Sequence, residues 1–179
     1  MDFRSVPEIF EHIDHTRARL FAAVEGLSEE QQAYTPSPDR WSAADLVEHL
    51  SIVEAGVAKL LDKLLAKAEE SGDGARAEAE AFDPVSIEEF VERSRGVKHE
   101  APERIRPTGL ALTDSLAHLR ESRAALHALR PRLERTDGRA LRFPHPNWGP
   151  LDLYQWLLFL AAHEDRHLAQ LEALKETMK

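Results

Sequence analysis

Apolar residues in this chain recur three and four positions apart, and no stretch alternates with β-branched enrichment, so the sequence folds by packing amphipathic helices. The first helix is predicted from Ser5-Val6-Pro7-Glu8, which supplies an N-cap, an early Pro and an acid three residues on, to about Gly26. Its stripe is Ile9, Phe10, Ile13, Arg17, Leu20, Phe21 and Val24. After a turn-rich stretch from Tyr34 to Arg40, a second helix opens at Trp41-Ser42-Ala43-Ala44-Asp45 and ends before Gly72. A third runs from about Thr113 to Arg135 with Pro131 as a possible kink, and a fourth from Leu151 or Asp152 to about Thr177. Residues 72–112 read as a long crossover holding one short helix from Ser86 to about Arg95, and Arg139 to Pro150 reads as a loop broken by three prolines. The expected fold is all-α, a four-helix bundle in a single domain over 1–179, with the long crossover between helices 2 and 3.

Composition narrows the function. A chain of 179 residues with 42% apolar content has surface enough to bury a core unaided. It has no Cys, which excludes disulfides, Cys-ligated metal and a cysteine nucleophile and fits a cytoplasmic location. The start lacks a signal-peptide pattern, and the longest apolar run, Trp156 to Ala162, is far short of the ~20 residues of a spanning helix, so neither export nor a membrane partner is expected. The net charge of −9 argues against a nucleic-acid partner. That charge is uneven: residues 93–142 carry twelve Lys+Arg against six acids, net +6, which leaves −15 for the remainder. Two readings follow, salt bridging to acidic neighbours or a site for an anionic small molecule.

His163-Glu164-Asp165-Arg166-His167 puts two imidazoles one helical turn apart on one face, able to converge on a single cation. Nine His in the chain make such a pair weak evidence by itself. Its register with Trp156, Leu160, Leu171 and Leu174 is stronger, because it aims both rings at the core, where an unpaired imidazole is costly. A zinc peptidase of the extended motif would need Gly and His where Gln170 and Ala173 stand. A third ligand must then come from upstream. His49 qualifies, lying between Leu46 and Val53 on a core face about 10 Å along its helix, while His163 lies about 16 Å along its own. Three imidazoles with a vacant position form the pattern of a catalytic metal site; the alternative is three separately satisfied core histidines.

Trp41-Ser42, Glu48-His49-Leu50 and Glu54, the loop His145-Pro146-Asn147-Trp148-Gly149-Pro150-Leu151, and His163 through Gln170 together resemble the signature of the DinB-like superfamily, across essentially the whole chain. The resemblance implies a four-helix bundle holding one divalent metal ion, Zn or Ni, on His49, His163 and His167. It also implies relatives that transfer low-molecular-weight thiols such as bacillithiol or mycothiol, and a homodimer. A thiol substrate suits a Cys-free protein, since the metal would depress the pKa of the incoming sulfur.

Glu164, beside a ligand and about 100° round the helix, is the expected catalytic proton acceptor, or else a solvated residue. Glu48 and Gln170 are candidates to orient ligands. Arg123 and Arg130 fall at core positions and are expected to lay their stems on apolar surface with their heads in water; Arg123 is alternatively an anchor for a substrate carboxylate. His145 reads as a turn residue near the site, His12, His15, His99, His118 and His127 as surface, and the three Trp as packing anchors. The function expected is metal-dependent transfer of a thiol to an electrophilic small molecule, or metal-dependent hydrolysis. The alternatives are a metal-binding stress-response bundle without turnover and a bundle serving only for association.

Overall fold

The computed structural model describes residues 1–72, 85, 86, 88 and 100–178. The expected helix from Ser86 to Arg95 and the Ala/Glu-rich stretch at 75–81 lie outside the described residues, apart from Ser86 and Glu88.

Helix α1 (Val6–Val24) starts where Ser5 Oγ accepts the Glu8 N–H, with Pro7 in the first turn. A five-residue helix, α2 (Glu29–Ala33), follows under a Ser28–Gln31 capping box and buries none of its side chains. Helix α3 (Ala43–Ser71) opens on a reciprocal Ser42–Asp45 box and closes on Gly72, whose φ of 72° is open to glycine without strain. Helices α4 (Leu112–Glu134) and α5 (Leu153–Thr177) complete the bundle, the latter capped by Asp152. All four long helices thus stand where their caps and stripes put them, and the bundle is as the sequence predicts.

The hairpin is a correction. Residues read as loop form β3 (Arg142–His145) and β4 (Gly149–Asp152), paired antiparallel with Pro144 opposite Pro150. Two prolines facing each other erase the strand signal, yet an isolated two-stranded ribbon tolerates them because neither needs to donate to a further strand. Gly149, at φ 73°, turns the chain back, and the ribbon leads directly into the Asp152 cap. A smaller pairing joins β1 (Asp2–Phe3) to β2 (Val85–Ser86).

Apolar residues separate into two clusters. One takes Ile9, Phe10 and Ile13 of α1, Val57 and Leu61 of α3, Leu126 and Leu133 of α4, and Leu153 to Ala162 of α5. The other takes Leu20 and Val24, then Leu46 and Leu50, Leu119, and Leu168 to Leu174. Read in chain order, α1 and α5 run from the first cluster to the second, while α3 and α4 both run back. Helices α3 and α4 are therefore parallel neighbours in close contact, and the segment between them must return the full length of a 29-residue helix, about 43 Å. That requirement is the physical reason for the long crossover.

Between the clusters lies a belt of buried polar residues: Arg17 from α1, His49 and Glu54 from α3, Ser122 and Arg123 from α4, Glu164 and His167 from α5. Interrupting an apolar core with charge carries a desolvation penalty of several kcal/mol per ion before pairing offsets it. The belt divides into an ionic half and an imidazole half.

Candidate metal centre

The ionic half is self-contained. Arg17 donates from Nε to Glu164 Oε1 at 2.7 Å and from its terminal nitrogens to Glu54 Oε2 at 2.5 Å and the Leu119 carbonyl at 2.9 Å. Arg123 donates to Glu54 at 2.9 Å, Glu164 at 3.3 Å, Asp14 at 2.8 Å and the Ile13 carbonyl at 2.7 Å. Two guanidinium groups thus neutralise two carboxylates, and Ser122 donates to the remaining Glu54 oxygen at 2.9 Å. Arg123 is 7% exposed, which corrects both expectations for it: its head is neither in water nor aimed at a ligand cavity. Arg130 does behave as expected, its guanidinium over the Phe10 ring and paired to Glu134.

Glu164 belongs to this half. Burial raises its carboxyl above the ordinary range, with Arg17 and Arg123 opposing, and both oxygens accept from arginine. The alternative of a solvated face residue is excluded by its 2% exposure.

The imidazole half holds three rings from two helices. His163 Nε2 lies 3.1 Å from His49 Nε2 and 3.1 Å from His167 Nε2, and the three ligand atoms fall within 4.8 Å of one another. The outer nitrogens decide what that means. His49 Nδ1 is 2.7 Å from the Ile105 carbonyl, which can only accept, so Nδ1 carries the proton. His167 Nδ1 is 2.7 Å from Gln170 Oε1 and carries its proton for the same reason. Burial lowers the pKa of all three rings: that of His49 against the pull of Ile105, that of His167 to about 3 with repulsion from His49 adding to it, and that of His163 well below the ordinary value with both neighbours adding to it. Neutral His49 and His167 therefore aim bare Nε2 lone pairs at His163 Nε2, which has at most one proton to give. At least one lone pair is left facing another nitrogen. A cation at their common focus satisfies all three, and neutral imidazole braced from its far nitrogen is the ligating form.

Aromatic rings wall the cluster. Trp41 packs on His49 at 4.8 Å between centroids and on His167 at 6.2 Å, and Phe159 stacks on His163 at 5.2 Å. His145, on β3, stacks on Trp148 and contacts Phe159, one ring removed from His163, and so stands outside the triad. The three imidazoles open on a cavity of about 1010 Å³ that Trp41, Trp148 and Trp156 also line. All three Trp are packing anchors as expected, Trp156 buried in the core and Trp41 and Trp148 half-buried against it, and each also presents surface to the cavity.

Gln170 does hold the His167 ring, at the i+3 spacing that puts the two on neighbouring turns of α5. Glu48 does not: it accepts from Thr108 N and Oγ1, Gly109 N and Leu110 N, tying down the chain that enters α4. Although its burial acts the other way, those donors lower its pKa. The partner sequence reasoning missed is the Ile105 carbonyl, in a 3-10 turn (Glu103–Ile105) within the crossover; a backbone group leaves no residue signature. His15, His118 and His127 are exposed as expected; His12 is half-buried, and His99 lies outside the described residues.

A family model described as the DinB superfamily matches residues 12–171. The uncharacterized protein YuaE of Bacillus subtilis (strain 168) is 28% identical over 172 residues, covering 93% of this chain and 96% of its own. Among solved structures, TT2238, a four-helix bundle protein, superposes with a TM-score of 0.62 at 22% identity over 93% of this chain and 98% of its own. YfiT from Bacillus subtilis, described as a probable metal-dependent hydrolase with an unusual four-helix bundle topology, gives 0.63 at 20% identity over 96% and 86%. No helix among the described residues is long and apolar enough to cross a membrane.

Proposed function

The chain belongs to the DinB superfamily, and from that membership and the imidazole cluster we propose that it is a metal-dependent enzyme acting on a small molecule. In this reading His49, His163 and His167 hold one divalent cation, zinc or nickel. The reaction is transfer of a low-molecular-weight thiol to an electrophilic acceptor. The observation that carries it is the tautomer constraint: two rings are braced at Nδ1, and three Nε2 atoms face one focus. The donor set, all neutral nitrogen, suits a zinc- or nickel-class ion.

When bound, the cation supplies Lewis acidity that brings an incoming thiol or water toward its ionised, nucleophilic form near neutral pH. The chain's own residues do the rest. Ile105 and Gln170 fix the tautomers and planes of His49 and His167. Trp41 and Phe159 cover ring faces and keep water from them, leaving the approach through the cavity. The chain has no Cys, so the sulfur nucleophile arrives with the substrate. Glu164, its carboxylate held by Arg17 and Arg123, serves as a positioning residue that anchors the turn of α5 carrying His163, in place of the proton-acceptor role its sequence position suggests.

Hydrolysis is the second reading, favoured by the description of the structurally similar YfiT. One assay separates the two. Protein loaded with zinc or nickel is incubated with monobromobimane and a thiol, cysteine or glutathione, and in parallel with p-nitrophenyl acetate. Turnover that requires the thiol, stops with EDTA and returns with added metal is the expected result. Ester cleavage without thiol moves the assignment to a hydrolase. Inactivity toward both, in protein carrying stoichiometric metal, leaves the non-catalytic metal-binding bundle in its place.

A further inference from the structure

The cavity beside the imidazoles differs in charge from the rest of the molecule. The chain carries −9, yet this cavity is lined by Arg40, Arg104, Arg106 and Arg166 against only Asp39 and Glu100. Arg106 is held by the Ala101 carbonyl. Arg40 and Arg104 are exposed, and neither guanidinium meets a carboxylate among the described residues. Away from the cavity, Arg123, Arg130 and Arg132 pair with acids.

Both arginines are one residue away from groups that support the imidazoles. Arg40 precedes Trp41, whose ring covers His49 and His167; Arg104 precedes Ile105, whose carbonyl braces His49. The same cavity offers flat apolar surface. Phe143 lines it while 43% exposed, its carbonyl accepting from Trp156 Nε1 at 3.3 Å. Trp148 lines it stacked on His145.

We infer that the cavity takes an organic anion: a small molecule whose flat apolar body lies against Phe143 and Trp148 and whose anionic group is met by Arg40 and Arg104. Guanidinium groups recognise carboxylate and phosphate oxygens through charge-assisted hydrogen bonds that a neutral or cationic analogue cannot make. The cavity volume of about 1010 Å³ holds such a molecule with room for a second reactant. This inference rests on the reading of the cavity as the substrate site, but not on the presence of the cation.

The test is calorimetric titration with 2-naphthoate, its neutral amide 2-naphthamide and the cationic 2-naphthylmethylamine, on zinc-loaded and on EDTA-treated protein. In the metal-free protein naphthoate is expected to bind about 10-fold more tightly than naphthamide, the amine weakest, because one charge-assisted contact is worth about a factor of ten. The double variant Arg40→Gln, Arg104→Gln is expected to remove most of that preference while leaving naphthamide affinity unchanged; both positions are exposed, so folding is spared. Equal affinity for acid and amide, a preference that survives the double variant, or no binding of any of the three overturns the proposal. A carboxylate preference confined to zinc-loaded protein also overturns it, since the metal would then be the anion's partner. Protein that binds no stoichiometric zinc yet keeps the arginine-dependent preference refutes the metal reading alone.

Discussion

The Glu164→Ala protein is expected to lose about 3–5 kcal/mol of stability, a fall of roughly 6–20 °C in melting temperature for a chain of this size. The cause is the arithmetic of the ionic half of the belt. Arg17 and Arg123 are 6% and 7% exposed, and Glu54 and Glu164 are the carboxylates that neutralise them inside the bundle. Truncating Glu164 leaves two buried guanidinium groups with one buried carboxylate, Glu54, and the half-exposed Asp14 reaching Arg123 alone. Replacing Glu164 and Arg17 together by Met preserves volume and charge balance, and is expected to recover most of the loss. Urea unfolding of the three proteins reads this directly. A loss under about 1 kcal/mol for Glu164→Ala would mean that the cluster is solvated in solution. Glu164→Gln separates the two roles considered for this residue. As a positioning group it is expected to leave the metal bound and turnover within a few-fold of wild type, whereas a proton acceptor would lose turnover with metal intact.

The second large effect concerns His49. Wild type is expected to retain about one metal per chain through dialysis and His49→Ala less than about a tenth, because loss of a ligand exceeds the roughly 10–100-fold cost of losing only a bracing partner. His49 stands alone on α3, whereas His163 and His167 share α5 at i, i+4, so this single change tests whether two distant helices meet at one ion. Stability carries the same signal. Zinc at a hundred times its dissociation constant stabilises a folded binder by about 2.7 kcal/mol, so wild type melts higher with added zinc and the variant does not. Equal metal in the two proteins would remove His49 from the site.

How far the sequence reached depends on the range of the interactions involved. Helix ends are local: Ser5, Ser42 and Gly72 cap within four residues of themselves and are readable as such. The imidazole pair on α5 is local too, and His49 is within reach because a polar residue on an apolar stripe demands a partner. Arg17, Glu54, Arg123 and Glu164 each carry that signal, since all four fall on core faces. Their mutual pairing spans up to 147 positions, though, and nothing in one dimension matches them. Glu48 looked like a brace for its neighbour His49, but one peptide step round a helix turns a side chain by about 100°, toward the loop entering α4. The hairpin was hidden by Pro144 and Pro150, and α2 by its length and its lack of any buried face. The Ile105 carbonyl is invisible in principle, because every residue has one.

The central claim is that three imidazoles share one divalent cation. X-ray absorption at the metal edge of zinc- or nickel-loaded protein tests it most directly. The account predicts one ion per chain with three imidazole nitrogens in the inner shell, at about 2.0–2.1 Å for zinc, and a spectrum that changes in nitrogen count when His49 is replaced. An inner shell built of carboxylate oxygens, or a spectrum indifferent to His49, would contradict it.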